Sequence, residues 1–513
     1  MDKKFYITTP IYYPSAKPHM GHAYSSIIAD FFARFKSMDG FDVQFLTGTD
    51  EHGLKIQRSA EKQNIEPLIF CNQISKTFRD LSKTLNLTNT DFIRTTEERH
   101  KKTVQHLWNE LKKNDDIYLS KYSGWYSVSD EAFYNEDEIE DIDGIKRSIS
   151  SKSLVEWIEE ESYFFRLSKW EKPLLNYYES HPNFIAPESR KNEVISFVKS
   201  GLKDLSVSRK SFSWGIKVPG NNDHVIYVWL DALTNYISAL NYPDTNDKLF
   251  KNFWPASIHL IGKDILRFHA VYWPAFLLAA KIELPLRVYG HGWILSGDEK
   301  MSKSKGNILD PIEIINKYGL DPLRYYLIKE VSFGNDGNIS QERLEDCINS
   351  DLANNFGNLC QRVTTFAIKN FDGKVPSEIK FQNDDLIILN KYNDNLEKIR
   401  SKIDEQNINF YIDYIINSLF EANKYFNDQE PWNKKSDPIK LNTIVYTALE
   451  IIRKISFLLY PIIPESSLKA LKIFNLSQQD IKLQSISNNE FLTKGMDINK
   501  IDILFKKIEK KND

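Results

Sequence analysis

The segment from Phe5 to Leu46 constrains the fold most. Phe5-Tyr6-Ile7-Thr8-Thr9 is aromatic and β-branched and stops at Pro10, which predicts a strand. Gly21 to Met38 then carries Ala23, Ile27, Phe31 and Phe35 at four-residue spacing, with Gly40 beyond the end, which predicts a helix. Asp42 to Leu46 predicts a second strand, running into the polar loop Thr47-Gly48-Thr49-Asp50-Glu51-His52-Gly53. Ser257 to Ile261 and Leu286 to Tyr289 repeat the pattern of strand followed by glycine-containing loop. Strands alternating with helices argue for a parallel sheet, whose ligands sit at the carboxyl ends of the strands.

A chain of 513 residues is too long for one ordinary core. Between the two halves of the sheet the texture changes: Asp130 to Asp143 is strongly acidic, and aromatic segments such as Tyr163-Phe164-Phe165 follow. The organisation expected is an α/β sheet domain over 1–117 and 223–292, split by an inserted domain over 118–222. A connecting region over 293–345 and an all-α domain over 346–513 follow. Ile501, Leu504, Phe505 and Ile508 suggest an apolar stripe on a last helix that packs back on the body.

Hydrophobic residues at 41% and charged residues at 27% exclude a disordered chain. No apolar run reaches the ~18 residues needed to cross a bilayer, and the first residues lack a signal-peptide pattern. Cys71, Cys347 and Cys360 form no Cys-x-x-Cys pair, so neither a disulfide framework nor a thiolate zinc site is supported. A cytoplasmic protein is expected. The net charge of −3 advertises no global nucleic-acid field, although a local stripe of Lys and Arg suffices for phosphate contacts.

Two motifs carry chemistry. His19-Met20-Gly21-His22 stands at the first strand-to-helix junction, where two imidazoles three residues apart share a face of the first turn. A helix N-terminus favours anions, and Gly21 leaves the backbone open to a flat base. Two surface histidines near a turn is the plain alternative. Lys300-Met301-Ser302-Lys303-Ser304 lies in a glycine-flanked stretch where Lys300 and Lys303 can reach one phosphate group, the alternative being a solvated basic loop. The pairing of the two motifs across one sheet domain is far more specific than either alone.

With these motifs the sequence resembles the class I aminoacyl-tRNA synthetases. Thr9-Pro10-Ile11-Tyr12-Tyr13-Pro14, Thr47 to Gly53, Tyr227-Val228-Trp229-Leu230-Asp231-Ala232 and Gly262-Lys263-Asp264-Ile265 are similar to the methionyl family within that class. The resemblance implies a Rossmann-type catalytic domain, an inserted connective domain and a helical-bundle anticodon-binding domain. It also implies methionine activation by ATP with Mg²⁺, then transfer to initiator and elongator tRNA(Met). His19, Gly21, His22, Gly262, Asp264, Trp293, Ile294, Lys300, Ser302 and Lys303 would hold ATP, with His19, His22, Lys300 and Lys303 catalytic. Ile11, Tyr13, Asp50, Trp229, Ala232, Tyr236, Ile265 and His269 would form the methionine pocket, and Asn358, Arg362 and Trp432 would read the anticodon. Core packing is the alternative for the pocket aromatics.

Many members of this family carry Cys-x-x-Cys zinc knuckles in the insertion, where this chain has Ser127 and Asp130. Tetrahedral zinc prefers thiolate or imidazole ligands, so no zinc is expected and the insertion should be held by its aromatics. A monomer is expected, because the sequence leaves no room for the extra dimerising domain of some members. Other class I synthetases, a small nucleotidyltransferase and an inactive tRNA-binding paralogue remain rivals. The missing editing insertion and zinc cysteines, the lysine loop and the intact motif residues speak against them.

Overall fold

The computed structural model describes residues 3–14, 17–130, 132–296, 299–300 and 310–509. They form two compact units: a catalytic unit of residues 4–29 and 43–291, and a helical unit built mainly of residues 30–42 and 292–513.

In the catalytic unit, β1 (Lys4–Thr8), β2 (Asp42–Thr49) and β3 (Asp91–Arg94) form half of a six-stranded sheet. The strands Ile258–Gly262, Val288–His291 and Ile185–Ala186 complete it beyond β1. The registered pairs are parallel. Because β1 lies between β2 and Ile258–Gly262, the strand order reverses at β1, and the crevice at its carboxyl end is where such a sheet binds ligands. Phe5, Tyr6, Ile7, Phe45, Leu46, Leu260 and Ile261 are buried, as expected of strands covered on both faces. β2 runs three residues beyond the strand expected from sequence, to Thr49, because it stays paired with β3 up to Thr49 opposite Arg94. A Cβ on Gly48 would meet the Ile93 carbonyl at 2.0 Å, so glycine lets the two strands approach.

The helix α1 (Met20–Met38) starts beside the expected position and buries Ala23, Ile27, Phe31 and Phe35. The insertion is antiparallel: Ile117–Ser127 pairs with Glu156–Phe165, flanked by Ala132–Tyr134 and Leu205–Ser206. The region 118–222 is not uniformly separate from the sheet domain. Ile185–Ala186 lies within it yet pairs with Val288–Tyr289, and the Val288 N–H donates to the Phe184 carbonyl at 2.7 Å.

The helical unit has a small sheet in which Ile294–Ser296 pairs with Glu299–Lys300 and Gly337–Asn338. Long helices follow, including Asn358–Asn370, Ile408–Asp428 and Pro438–Leu459. The last of these buries Glu450 and Arg453, which is tolerable because they pair, and Lys454, which donates to the Ile486 carbonyl and to Asn489. Arg453 meets Glu450 at 2.7 Å and donates to the Ser485 and Asn488 carbonyls, while Glu450 accepts the Leu492 N–H at 2.6 Å.

The expected last helix is absent: residues 500–509 are non-helical. Asn349 exchanges two hydrogen bonds with the backbone of Ile508 instead, and just before the segment the Ile498 N–H donates to the Gly373 carbonyl. Phe505 is buried and Ile501, Leu504 and Ile508 are half-buried, so the four residues do face the body, but from a non-helical segment. No described helix is long and apolar enough to cross a membrane.

Candidate active site

The loop after β1 delivers His19, Gly21 and His22 to the crevice at the strand-order reversal. The imidazoles lie with centroids 3.8 Å apart. The His19 N–H donates to His22 Nδ1, and the Gly21 N–H to His19 Nδ1, each at 3.1 Å. A ring nitrogen that accepts a backbone proton is bare, so in their neutral forms both histidines carry the proton on Nε2. Burial, then the neighbouring His19, holds His22 well below its ordinary range, and it is neutral near pH 7. Tyr12 and Phe78 pack edge-on to the His22 ring, at 4.7 and 5.2 Å. Gly21 has a reason beyond the one read from sequence: a Cβ there would sit 2.9 Å from His19 Cε1 and push the imidazole away. Ser25, one turn on, meets His291 Nε2 at 2.8 Å and ties α1 to the strand Val288–His291.

A second group forms a side-chain cradle. Tyr236 Oη lies 2.7 Å from His269 Nε2, and His269 Nδ1 lies 2.9 Å from the Ile265 carbonyl. A carbonyl only accepts, so Nδ1 carries the proton, Nε2 is bare and the tyrosine donates. Burial pushes His269 down to about 4, in keeping with this neutral form. His269 sits on a π-turn, Phe268–Tyr272, a widened turn of the kind often found at functional positions. Trp229 stacks on Phe268 at 3.6 Å, Ala232 is buried one turn on, and Ile11 packs on the same core. Tyr13 instead packs beside Ile56 and Phe70, with the Lys55 ammonium over its ring at 5.4 Å. Asp50 is buried in the loop after β2, and its N–H donates to the Tyr12 carbonyl at 2.9 Å. Gly262 ends its strand where a Cβ would meet Asp264 Oδ1 at 2.6 Å, and Asp264 is exposed.

Sequence reasoning passed over the residues beneath this cradle. Glu51 accepts two bonds from Arg94, at 2.6 and 2.9 Å, and others from Thr49, Thr96 and Ser75. His52 Nδ1 and His100 Nε2 grip the two oxygens of Asp231 at 2.6 and 2.7 Å. Only the motif positions of Glu51, His52 and Asp231 hinted at them.

The helical unit carries the remaining candidates. The Trp293 N–H donates to Asp336 at 2.8 Å, and Ile294 is buried in its strand. Lys300 lies in a strand whose side chains are not described there, and Ser302 and Lys303 fall outside the described residues. Asn358 is exposed at the start of its helix, directly after a π-helical stretch, Ile348–Gly357. Arg362, on the same face, donates to Asn427 at 2.6 Å with its guanidinium over Phe426. Trp432, 43% exposed, also meets Phe426, edge-on at 6.3 Å, so one ring gathers Arg362 and Trp432.

In the insertion, Asp130 accepts from Ser151, Ser153 and Tyr134, and Ser127 donates to Ser153 at 2.8 Å. Hydroxyls thus join the expected aromatics in holding this region. Trp125 meets Trp157 edge-on at 5.2 Å, but the knuckle-like turn is closed by hydroxyls around one carboxylate. Burial pushes the Asp130 carboxyl up, yet the hydroxyl donors outweigh it and hold it below the usual range. Among the described residues no group of His, Cys, Asp and Glu is arranged to hold a metal ion.

A parallel sheet with a paired-histidine helix start at its crevice, followed by a helical unit, defines a class I aminoacyl-tRNA synthetase. The family profile described as tRNA synthetases class I (M) matches residues 5–364, and that of the anticodon binding domain of methionyl tRNA ligase matches 375–513. The chain belongs to the methionyl-tRNA synthetase family, and its enzyme class is that of a methionine–tRNA ligase. It is 50% identical to the methionine–tRNA ligase of Rickettsia felis, over 99% of each chain. It is also 50% identical to that of Brucella suis, over 92% of each. Its structure matches Mycobacterium tuberculosis methionyl-tRNA synthetase in complex with methionyl-adenylate with a TM-score of 0.95 at 44% identity, covering 98% of this chain and 99% of that one. The apo form of the same enzyme matches at 0.90.

Proposed function

We propose the following division of labour for the ligase reaction. The methionine carboxylate oxygen attacks the α-phosphorus of ATP, the bond to the bridging oxygen breaks, and pyrophosphate leaves. No protein nucleophile takes part, so catalysis is positioning and stabilisation of charge. The Nε2–H groups of His19 and His22 and the N-terminus of α1 hold the phosphates from one side. Lys300, Ser302 and Lys303 contribute further phosphate contacts, with Mg²⁺ accompanying ATP. Gly262, Asp264, Trp293 and Ile294 accommodate the nucleoside.

Asp50 pairs with the substrate ammonium, while Ile11, Tyr13, Trp229, Ala232, Tyr236, Ile265 and His269 surround the side chain. The Tyr236 hydroxyl points its proton at His269, which holds the ring in place and leaves aromatic surface for a thioether. A 2′-hydroxyl at the tRNA 3′ end then attacks the mixed anhydride, forming the ester and releasing AMP. Asn358, Arg362 and Trp432 read the single-stranded anticodon of initiator and elongator tRNA(Met) by edge hydrogen bonds and stacking. The enzyme works as a cytoplasmic monomer without zinc.

The observation that supports this reading is the matched pair of Nδ1 acceptors at the strand-order reversal, which leaves Nε2–H as the donor of each neutral ring. The test is ATP–pyrophosphate exchange with each of the twenty amino acids. Methionine should drive it best. Exchange driven best by another amino acid would overturn the substrate, and no exchange at all would favour a paralogue that only binds tRNA.

A further inference from the structure

The fully buried chain His52–Asp231–His100–Ser238 links three elements far apart in sequence. Asp231 Oδ2 meets His52 Nδ1 at 2.6 Å, and Oδ1 meets His100 Nε2 at 2.7 Å. His100 Nδ1 continues to the Ser238 hydroxyl at 3.0 Å. Asp231 has no exposed surface, and an isolated buried carboxylate would be costly. Burial does push it up, but His52 and then His100 outweigh that and keep it ionised.

The neighbours of these residues give the chain its meaning. Two positions before His52 stands Asp50, which meets the substrate ammonium in the reading above. On either side of Asp231, in the helix Val228–Leu233, stand Trp229 and Ala232, which line the side-chain end. Loop and helix are separated by 179 positions, and the His52–Asp231 contact joins them directly. His52 is itself held tightly. Trp214 lies edge-on to its ring at 5.5 Å, donates from its indole to the Glu51 carbonyl at 2.6 Å and accepts the Gly53 N–H at 3.1 Å. Behind Asp231, His100 anchors the same helix to Glu98–Lys113.

We propose that the His52–Asp231–His100 chain is a ruler for the amino-acid pocket: it fixes the distance from the ammonium-binding carboxylate to the side-chain wall, and so sets the accepted length of substrate. None of the three touches substrate; they are positioning residues. A pocket discriminates by one methylene only when its walls are held, because a wall free to shift absorbs the extra group. The inference rests on the pocket assignment made above.

The experiment is ATP–pyrophosphate exchange with methionine and with ethionine, one methylene longer, for full-length protein carrying His52→Leu, His52→Asn or Asp231→Asn. His52→Asn keeps an N–H near the Nδ1 position. His52→Leu should raise the methionine KM about tenfold and shrink the preference for methionine over ethionine by a similar factor. The KM for ATP should change less than twofold, and His52→Asn should restore most of the discrimination. Loss of kcat and melting temperature in His52→Leu and Asp231→Asn, with the methionine-to-ethionine ratio intact, would overturn the proposal and leave a structural role. Asp50→Ala and Trp229→Ala separate the two readings. If they leave the methionine KM unchanged, the pocket assignment fails and the ruler with it. If they raise it while His52→Leu does not alter the ratio, the ruler alone fails.

Discussion

The backbone N–H of His19 donates to Nδ1 of His22 at 3.1 Å, and that one bond decides what the second histidine can do. It fixes the tautomer with the proton on Nε2 and makes the ring a neutral donor, not a cation. Because the free-enzyme form is neutral, kcat/KM for ATP should show no fall as pH rises through 6.5, the limb a required imidazolium would produce. A pH profile of exchange from 6 to 8 checks this.

Replacing His22 by Ala should lower the exchange rate by about 10²–10³ with little change in methionine KM, as for loss of one donor to developing charge. His22→Gln, which keeps an N–H near the Nε2 position, should retain more activity than the alanine variant. Equal activities for the two would show that the donor is not what matters.

The Asp130 cluster gives an outcome that can be read without activity. Asp130→Asn should destabilise the insertion by about 1–3 kcal/mol, since the hydroxyls lose a charged acceptor. The folded carboxyl lies below its ordinary range, so its stabilising contribution is present above the unfolded pKa and disappears as pH falls through the folded one. Chelator treatment should leave the melting temperature unchanged, and metal analysis should find no stoichiometric zinc.

Lys454 gives a slope of the same sign in a higher pH window, from burial of the charged form and not from stabilisation of it. Burial, then Arg453, lowers its ammonium to about 7, while the unfolded group titrates near 10.5. Between those values the unfolded chain binds more protons, so stability rises with pH, by at most about 1.4 kcal/mol per pH unit for one proton. Urea denaturation of wild type and Lys454→Met at pH 7, 8 and 9 isolates the term, and the variant should lose that slope.

For the helical unit, Trp432→Ala should raise the KM for tRNA by roughly tenfold or more, the scale of one lost base stack. Arg362→Ala should act in the same direction. Neither should change amino-acid-dependent exchange, and a parallel fall in exchange would mean that the change disturbs more than tRNA binding.

Local order was legible in the chain because its signals are local. Apolar residues at Ala23, Ile27, Phe31 and Phe35 suffice to place α1, and an aromatic, β-branched run before Pro10 places β1. The two histidines of the first motif were legible for the same reason, since a three-residue spacing puts both on one turn. The same rule misled at Ile501, Leu504, Phe505 and Ile508, where a helical spacing exists but the Ile508 backbone bonds to the Asn349 side chain.

What the sequence by itself determined is the class of elements and the inventory of chemical groups. Tertiary structure alone decided which groups meet. Nothing within a few residues of His52 points to Asp231, 179 positions away, or places Ile185 at the edge of a sheet that begins at Lys4. Tautomers belong to the same category, for a ring nitrogen learns whether it donates or accepts only from the partner that folding sets beside it. Periodicity acts over a turn or a strand, whereas partners are chosen by topology.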